Sequence, residues 1–228
     1  MCGDCGCRGQ SAPVLRVKVE ADLLKRVRKK AESNQDWLQA RGLRALNLLS
    51  SPGSGKTTLL EKTLAHLPLS VIEGDQATER DAQRIRAAGG RVLQINTGQG
   101  CHLEPDQVRQ AVEQLNPPPG MLVIENVGNL ICPAFFALGE QARVVMLSVT
   151  EGEDKPLKYP HAFKSADLVL LTKLDLLPYV PFDLGQCLNL IQQVNPGVPC
   201  LTLSALSGQG MDAWLDWLRA ELPCFQPT

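Results

Sequence analysis

The chain has 228 residues, of which 44% are hydrophobic and 21% charged, with a formal net charge of −1. That length and apolar content suffice for one full α/β core with a modest appendage, and the near-neutral charge gives no case for nucleic acid or an acidic membrane as partner. No apolar stretch approaches the roughly 20 residues of a membrane span, and the N-terminus lacks the apolar core of a signal peptide. A cytoplasmic protein is therefore predicted, whose eight cysteines serve metal binding or buried thiols rather than disulfides.

The first residues, Met1-Cys2-Gly3-Asp4-Cys5-Gly6-Cys7, bring three thiols together with nothing apolar to bury them. Flexible glycines let Cys2, Cys5 and Cys7 wrap one soft or borderline ion, with nickel and zinc both admissible. Residues 1–19 read as this metal-binding tail and a linker. Residues 20–42 read as an amphipathic helix, with Leu23, Leu24, Val27, Ala31 and Leu38 mostly on one face and Gly42 as its stop. Its other side carries Lys25, Arg26, Arg28, Lys29 and Lys30, either a solvated face or a docking surface for an acidic partner.

From residue 43 to 228 short apolar runs alternate with amphipathic segments, the pattern of a mostly parallel sheet with crossover helices. Strands are predicted near 45–50, 70–73, 91–96, 121–125, 143–149, 168–172 and 200–204, and helices near 56–66, 77–88, 105–115, 184–194 and 211–222. Ligands of such sheets gather at the carboxyl ends of the strands, so the residues after each run carry the information.

After the first strand comes Ser50-Ser51-Pro52-Gly53-Ser54-Gly55-Lys56-Thr57-Thr58, a phosphate-binding loop with Ser50 in place of the usual first glycine. Backbone N–H groups around Gly53, Ser54 and Gly55 cradle phosphate, Lys56 adds charge, and Thr57 offers a hydroxyl to Mg²⁺, with Thr58 beside it. After the second strand, Asp75 is placed to hold Mg²⁺ or to cap the next helix. After the fourth, Glu125-Asn126-Val127-Gly128 resembles the D-x-x-G switch of GTPases, with Glu125 sensing the metal and Gly128 the γ-phosphate. After the sixth, Thr172-Lys173-Leu174-Asp175 resembles the guanine-recognition motif, in which Asp175 accepts from the base and Lys173 packs on its plane; Ser204-Ala205 would complete the base site. Thr150 to Pro160 reads as a long loop beside the base, with Lys155 and Lys158 either reaching nucleotide or solvated.

A second thiol group, Cys101-His102 and Cys132, follows the third and fourth strands, which are expected to be neighbours. Thiolate and imidazole suit Zn²⁺ or Ni²⁺; the fourth position falls to water or to a twofold-related subunit. Cys187 and Cys200 read as core thiols, and Cys224 is terminal.

Taken together, the Cys2/Cys5/Cys7 tail, Leu46 to Thr58, Glu73-Gly74-Asp75, Asn96 to His102, Glu125 to Pro133, Thr150 to Pro160 and Thr172 to Asp175 resemble the hydrogenase nickel incorporation GTPases, the HypB family. The resemblance implies a P-loop NTPase fold and a Mg²⁺-dependent hydrolysis of GTP to GDP that times nickel insertion into [NiFe]-hydrogenase; slow hydrolysis is expected because Asn129, not glutamine, follows Gly128 and no arginine is poised as a finger. It further implies a GTP-promoted homodimer, a HypA-type metallochaperone and the hydrogenase large subunit as partners, nickel at the tail, and zinc or nickel at Cys101, His102 and Cys132. Thr172 stands where Asn is commoner, which leaves open one hydrogen bond near the phosphate loop. The histidine-rich stretch of many relatives is absent, so bulk nickel storage is not expected. The competing readings are a urease-type nickel GTPase and a metal scavenger whose nucleotide domain only controls dimerisation.

Overall fold

A computed structural model describes residues 12–75, 79–98 and 100–221. The elements in order are α1 (Ala12–Ala40), β1 (Leu43–Ser50), α2 (Lys56–Leu64), β2 (Leu69–Asp75), α3 (Arg80–Ala87), β3 (Arg91–Asn96), α4 (Pro105–Leu115), β4 (Gly120–Glu125), α5 (Cys132–Phe135) and β5 (Ala142–Ser148). They continue with α6 (Lys155–Lys158), α7 (Pro160–Lys164), β6 (Leu168–Thr172), a 3₁₀ turn (Leu174–Tyr179), α8 (Leu184–Val194), β7 (Cys200–Thr202) and α9 (Met211–Glu221). The strands form one sheet in the order β3-β2-β4-β1-β5-β6-β7, with every pairing parallel. The chain winds outward from β1 to one edge, returns to β4, then winds to the other edge. That reversal opens a crevice at the carboxyl ends of β1, β4 and β5, where a ligand of such a sheet is held.

Both faces of the sheet are buried, as a parallel sheet requires. On one face Leu46, Leu48, Val123 and Leu170 pack with Leu59, Leu60, Trp214 and Leu218 from α2 and α9. The pleat sends alternate residues the other way, so Ala45, Ile72, Leu122 and Ile124 meet Leu38 of α1 and Val108 and Val112 of α4. A third cluster joins Leu49, Val145, Leu147 and Leu171 to Phe163 and Ile191. Among the described residues, no helix is long and apolar enough to cross a membrane.

Four expectations are corrected. The helix α1 begins at Ala12 rather than residue 20, so most of the segment read as linker is helical; Pro13 near its start has the fixed φ that suits a first turn. Strands β3 and β4 are not neighbours, since β2 lies between them. Residues 150–160 are not a plain loop, because α6 and the start of α7 fall inside, each with proline in its first turn. The last strand ends at Thr202, before Ser204.

Candidate functional site

The loop from Ser50 to Gly55 joins the buried end of β1 to α2, whose first two residues are Lys56 and Thr57. Both side chains are buried, and the Lys56 ammonium donates to the Ser50 hydroxyl at 2.8 Å while standing 3.8 Å from the Glu125 carboxylate. The serine that replaces the usual glycine thus supplies a direct partner for the loop lysine. A cleft of about 750 Å³ opens here, lined among others by Gly55, Lys56, Thr57, Glu125 and Gly128. Gly128 lies against the loop itself: a Cβ there would stand 3.0 Å from Pro52 Cγ and 3.3 Å from the Pro52 backbone, a tight fit that glycine relieves.

Two acidic residues that the motifs did not single out also stand here. Glu73, only 2% exposed, pairs across the β2–β4 ladder with Glu125 and lines the same cleft. Glu151 clasps the outer side of the loop, its Oε1 lying 2.9 Å from Ser54 Oγ and accepting from the Ser148 N–H at 3.0 Å. Lys155 binds Glu151 and donates to Ser51 Oγ. Burial pushes the Glu151 carboxyl up, but Lys155 and the donors Ser148, Ser54 and Ser51 outweigh it and hold the group below its ordinary range. Glu151 follows β5 as the other site residues follow their strands, so the strand-end rule would have found it. Asp75 ends β2 opposite Asn96, and its side chain lies outside the described residues.

Beside the loop, Thr172, Lys173, Asp175, Ser204, Ala205 and Leu206 line a pocket of about 290 Å³. Ser204 Oγ donates to Asp175 Oδ1 at 2.5 Å, fixing one carboxylate oxygen. Thr172 Oγ1 donates to the Ser54 carbonyl at 2.8 Å, so the threonine makes the bond to the phosphate loop that its replacement of asparagine had left open. Residues 150–155 sit against the phosphate loop and are absent from this pocket's lining, which corrects their expected place beside the base.

At the far rim the ligand atoms of Cys101, His102 and Cys132 lie within 4.8 Å of one another. Although β2 separates β3 from β4, the segment after β3 crosses the end of β2. There Leu103 presses so closely on Gly74 that a Cβ would meet its side chain at 2.9 Å. The crossing brings Cys101 and His102 to the residues that follow β4. Sγ of Cys101 is 3.5 Å from His102 Nδ1, and the His102 ring stacks on Phe136 at 4.1 Å between centroids. Contact with Cys132 raises the Cys101 thiol above its ordinary range, and burial lowers His102. Arg143, paired with Glu140 at 2.6 Å, donates to the Ala134 carbonyl at 3.2 Å and the Phe136 carbonyl at 3.4 Å, anchoring the short helix that begins at Cys132. Cys187 is fully buried away from this rim, Cys200 is half-buried, and Cys2, Cys5, Cys7 and Cys224 lie outside the described residues.

A Gly/Ser loop that ends in a buried lysine, with a buried strand-end carboxylate and a glycine packed against it in the crevice of an all-parallel sheet, defines a P-loop nucleotide-binding protein. Residues 45–202 match the family model "CobW/HypB/UreG, nucleotide-binding domain". The chain belongs to the HypB family. It is 53% identical over 210 residues to the hydrogenase maturation factor HypB of Escherichia coli K12, covering 90% of this chain and 72% of that one. It is 39% identical over 207 residues to the hydrogenase/urease maturation factor HypB of Helicobacter pylori J99, covering 88% and 85%. The crystal structure of Helicobacter pylori HypB in complex with nickel superposes with a TM-score of 0.83 at 36% identity, covering 87% of this chain and 95% of that one. The hydrogenase maturation factor HypB of Archaeoglobus fulgidus gives 0.81 at 35% identity, covering 87% and 99%.

Proposed function

We propose that this protein is a GTP-hydrolysing nickel metallochaperone that times nickel insertion into [NiFe]-hydrogenase. The observation that carries the reading is the seating of Cys101, His102 and Cys132 directly on the segment that follows Glu125 and Gly128, so that a nucleotide switch and a thiolate-rich site share one rim. Relatives named as hydrogenase maturation factors, and the nickel complex of one of them, support the cargo.

Gly53, Ser54, Gly55 and Lys56 hold the phosphates, with Thr58 on the same helix turn, and Lys56 exchanges Ser50 and Glu125 for phosphate oxygens. Thr57 and Glu125, both buried oxygen donors at the cleft, fit a hard cation; with Asp75 they would hold Mg²⁺, which supplies charge neutralisation at the β- and γ-phosphates. Gly128 reads the γ-phosphate, and Thr172, Lys173, Asp175, Ser204 and Ala205 hold guanine. Intrinsic hydrolysis is slow, because Asn129 stands where a water-orienting glutamine would and its side chain is engaged with backbone instead.

The rim donor set, two sulfurs and one imidazole, fits Ni²⁺ or Zn²⁺. The tail thiols Cys2, Cys5 and Cys7 form a second nickel site, ahead of helix α1 and the GTPase domain (43–228). A GTP-promoted homodimer, a HypA-type chaperone and the hydrogenase large subunit are the partners on this reading, and the cytoplasm its place. Urease remains the second reading, supported by the Helicobacter pylori relative whose name includes it. Deleting the gene and supplying excess nickel separates them. Hydrogenase activity that is lost and then restored supports the proposal; urease alone behaving so would replace it, and neither doing so would overturn both.

A further inference from the structure

Two asparagines flank the switch glycine, and both are turned toward the metal rim. Asn129 Nδ2 donates to the Cys101 carbonyl at 3.3 Å, and its Oδ1 accepts from the Ile131 N–H, next to Cys132, at 2.7 Å. Asn126 Oδ1 accepts from the Leu103 N–H, next to His102, at 3.3 Å, and its Nδ2 reaches Asn47 Oδ1 at 3.5 Å on β1. The Cys101-His102 pair is thus held from its carbonyl on one side and from the following N–H on the other, each time by a residue within two positions of Gly128. Asn129 hydrogen-bonds to both segments that carry rim ligands.

The donor geometry gives this placement its consequence. Metal–donor bonds of about 2.0–2.3 Å put neighbouring donors about 3.5 Å apart. The Cys101–His102 pair stands at 3.5 Å, and all three ligand atoms lie within 4.8 Å of one another, close to that spacing. Whether all three donors reach one ion together is set by the separation of the Cys101-His102 segment from the Cys132 segment, the two that Asn129 bridges. A hydrogen bond tolerates only a few tenths of an ångström before it is lost. A shift of Gly128 toward or away from the phosphate loop moves the adjoining Asn129 and so changes that separation.

We infer that Asn129 is a positioning residue that sets the spacing of the two rim segments according to the state of the switch, with Asn126 as a fixed tether on the Cys101-His102 side. The inference rests on the reading of the rim as a nickel site coupled to the nucleotide.

The test uses the full chain with Cys2, Cys5 and Cys7 replaced by alanine, so that only the rim titrates. Ni²⁺ affinity is measured by chelator competition with saturating GDP and with a non-hydrolysable GTP analogue, alongside the thiolate-to-nickel charge-transfer band. A coupled site gives affinities that differ by about fivefold or more between the two states. In Asn129→Ala, and in the isosteric Asn129→Asp, which keeps the Ile131 contact but loses the donor to Cys101, the ratio is expected to fall toward one and the band to change between states less than in the parent. A merely structural role would weaken nickel equally in both states; a retained ratio in both variants overturns the inference while leaving the coupled-switch reading intact. A ratio of one in the parent protein would overturn the reading and the inference together.

Discussion

Lys56 at the head of α2 and Glu125 at the end of β4 stand 3.8 Å apart, both buried, so that the phosphate loop and the switch strand are joined by opposite charges across the crevice. If Glu125 serves as the metal-facing carboxylate, Glu125→Gln retains the shape and removes the charge. GTP turnover is expected to fall by about a hundredfold, with GDP affinity changed only a few-fold. Phosphate release under single-turnover conditions measures it, and an unchanged rate would remove Glu125 from the machinery.

The Asp175 carboxylate, held by Ser204, is the proposed reader of guanine. Asp175→Asn replaces an acceptor by a donor at the base. Affinity for GTP is expected to drop by at least about a thousandfold, since buried groups left unpaired are penalised heavily. Xanthosine triphosphate, which carries a carbonyl where guanine has its amine, should gain affinity in the same titration. Equal losses for both nucleotides would point to misfolding rather than altered recognition.

Phe136 offers no ligand atom, yet its ring stacks on His102 and its carbonyl is held by Arg143. Phe136→Ala therefore frees the imidazole without deleting a donor. Rim nickel affinity should weaken by about tenfold, the usual scale for groups that orient a ligand, with circular dichroism unchanged. Replacing Cys132 by serine removes a donor outright and should cost far more in the same assay.

Burial pushes the Glu151 carboxyl up, but Lys155, Ser148, Ser54 and Ser51 together outweigh it and hold its folded pKa below the ordinary carboxylate range. For a depressed carboxylate the stabilisation is fully present above the unfolded value and is lost as pH falls through the folded one. Denaturant midpoints of the parent and Glu151→Gln should thus differ near pH 7 and converge below about pH 4. A gap of constant size down to pH 3 would contradict the assignment.

Burial pushes the Cys187 thiol up to about 12, with Cys200 adding to the effect. Its thiolate is scarce at pH 8, so iodoacetamide should leave Cys187 unlabelled in the folded protein and label it once denaturant is added. Peptide mapping reads the difference directly, and rapid native labelling would mean that the α8 face opens.

The elements most plainly written in the sequence were those with a short-range cause. Strand β4 is six buried residues bounded by prolines and a polar switch, and β6 is five; both were expected within one residue of where they lie. Gly53 to Thr58 announces a phosphate loop because the strand, the small residues and the lysine are adjacent in the chain. Phe136 has no such sign, and Glu151 has only its place just after β5. Glu151 acts on Ser54, 97 positions away, and Phe136 is an unremarkable aromatic until His102 is laid against it. The start of α1 was also missed, because its first turns carry β-branched valines that read as linker without tertiary context.

The sequence by itself determined the alternation of strands and helices and the chemistry available at each strand end, since both are set by local patterning and residue type. Tertiary structure decided which strand ends meet. The strands that precede Cys101 and Cys132 are separated by β2, and the thiols share a rim only because Leu103 packs on Gly74 and carries its segment across. That crossing depends on one absent side chain and on strand order, and neither quantity has a signature in the residues beside the ligands.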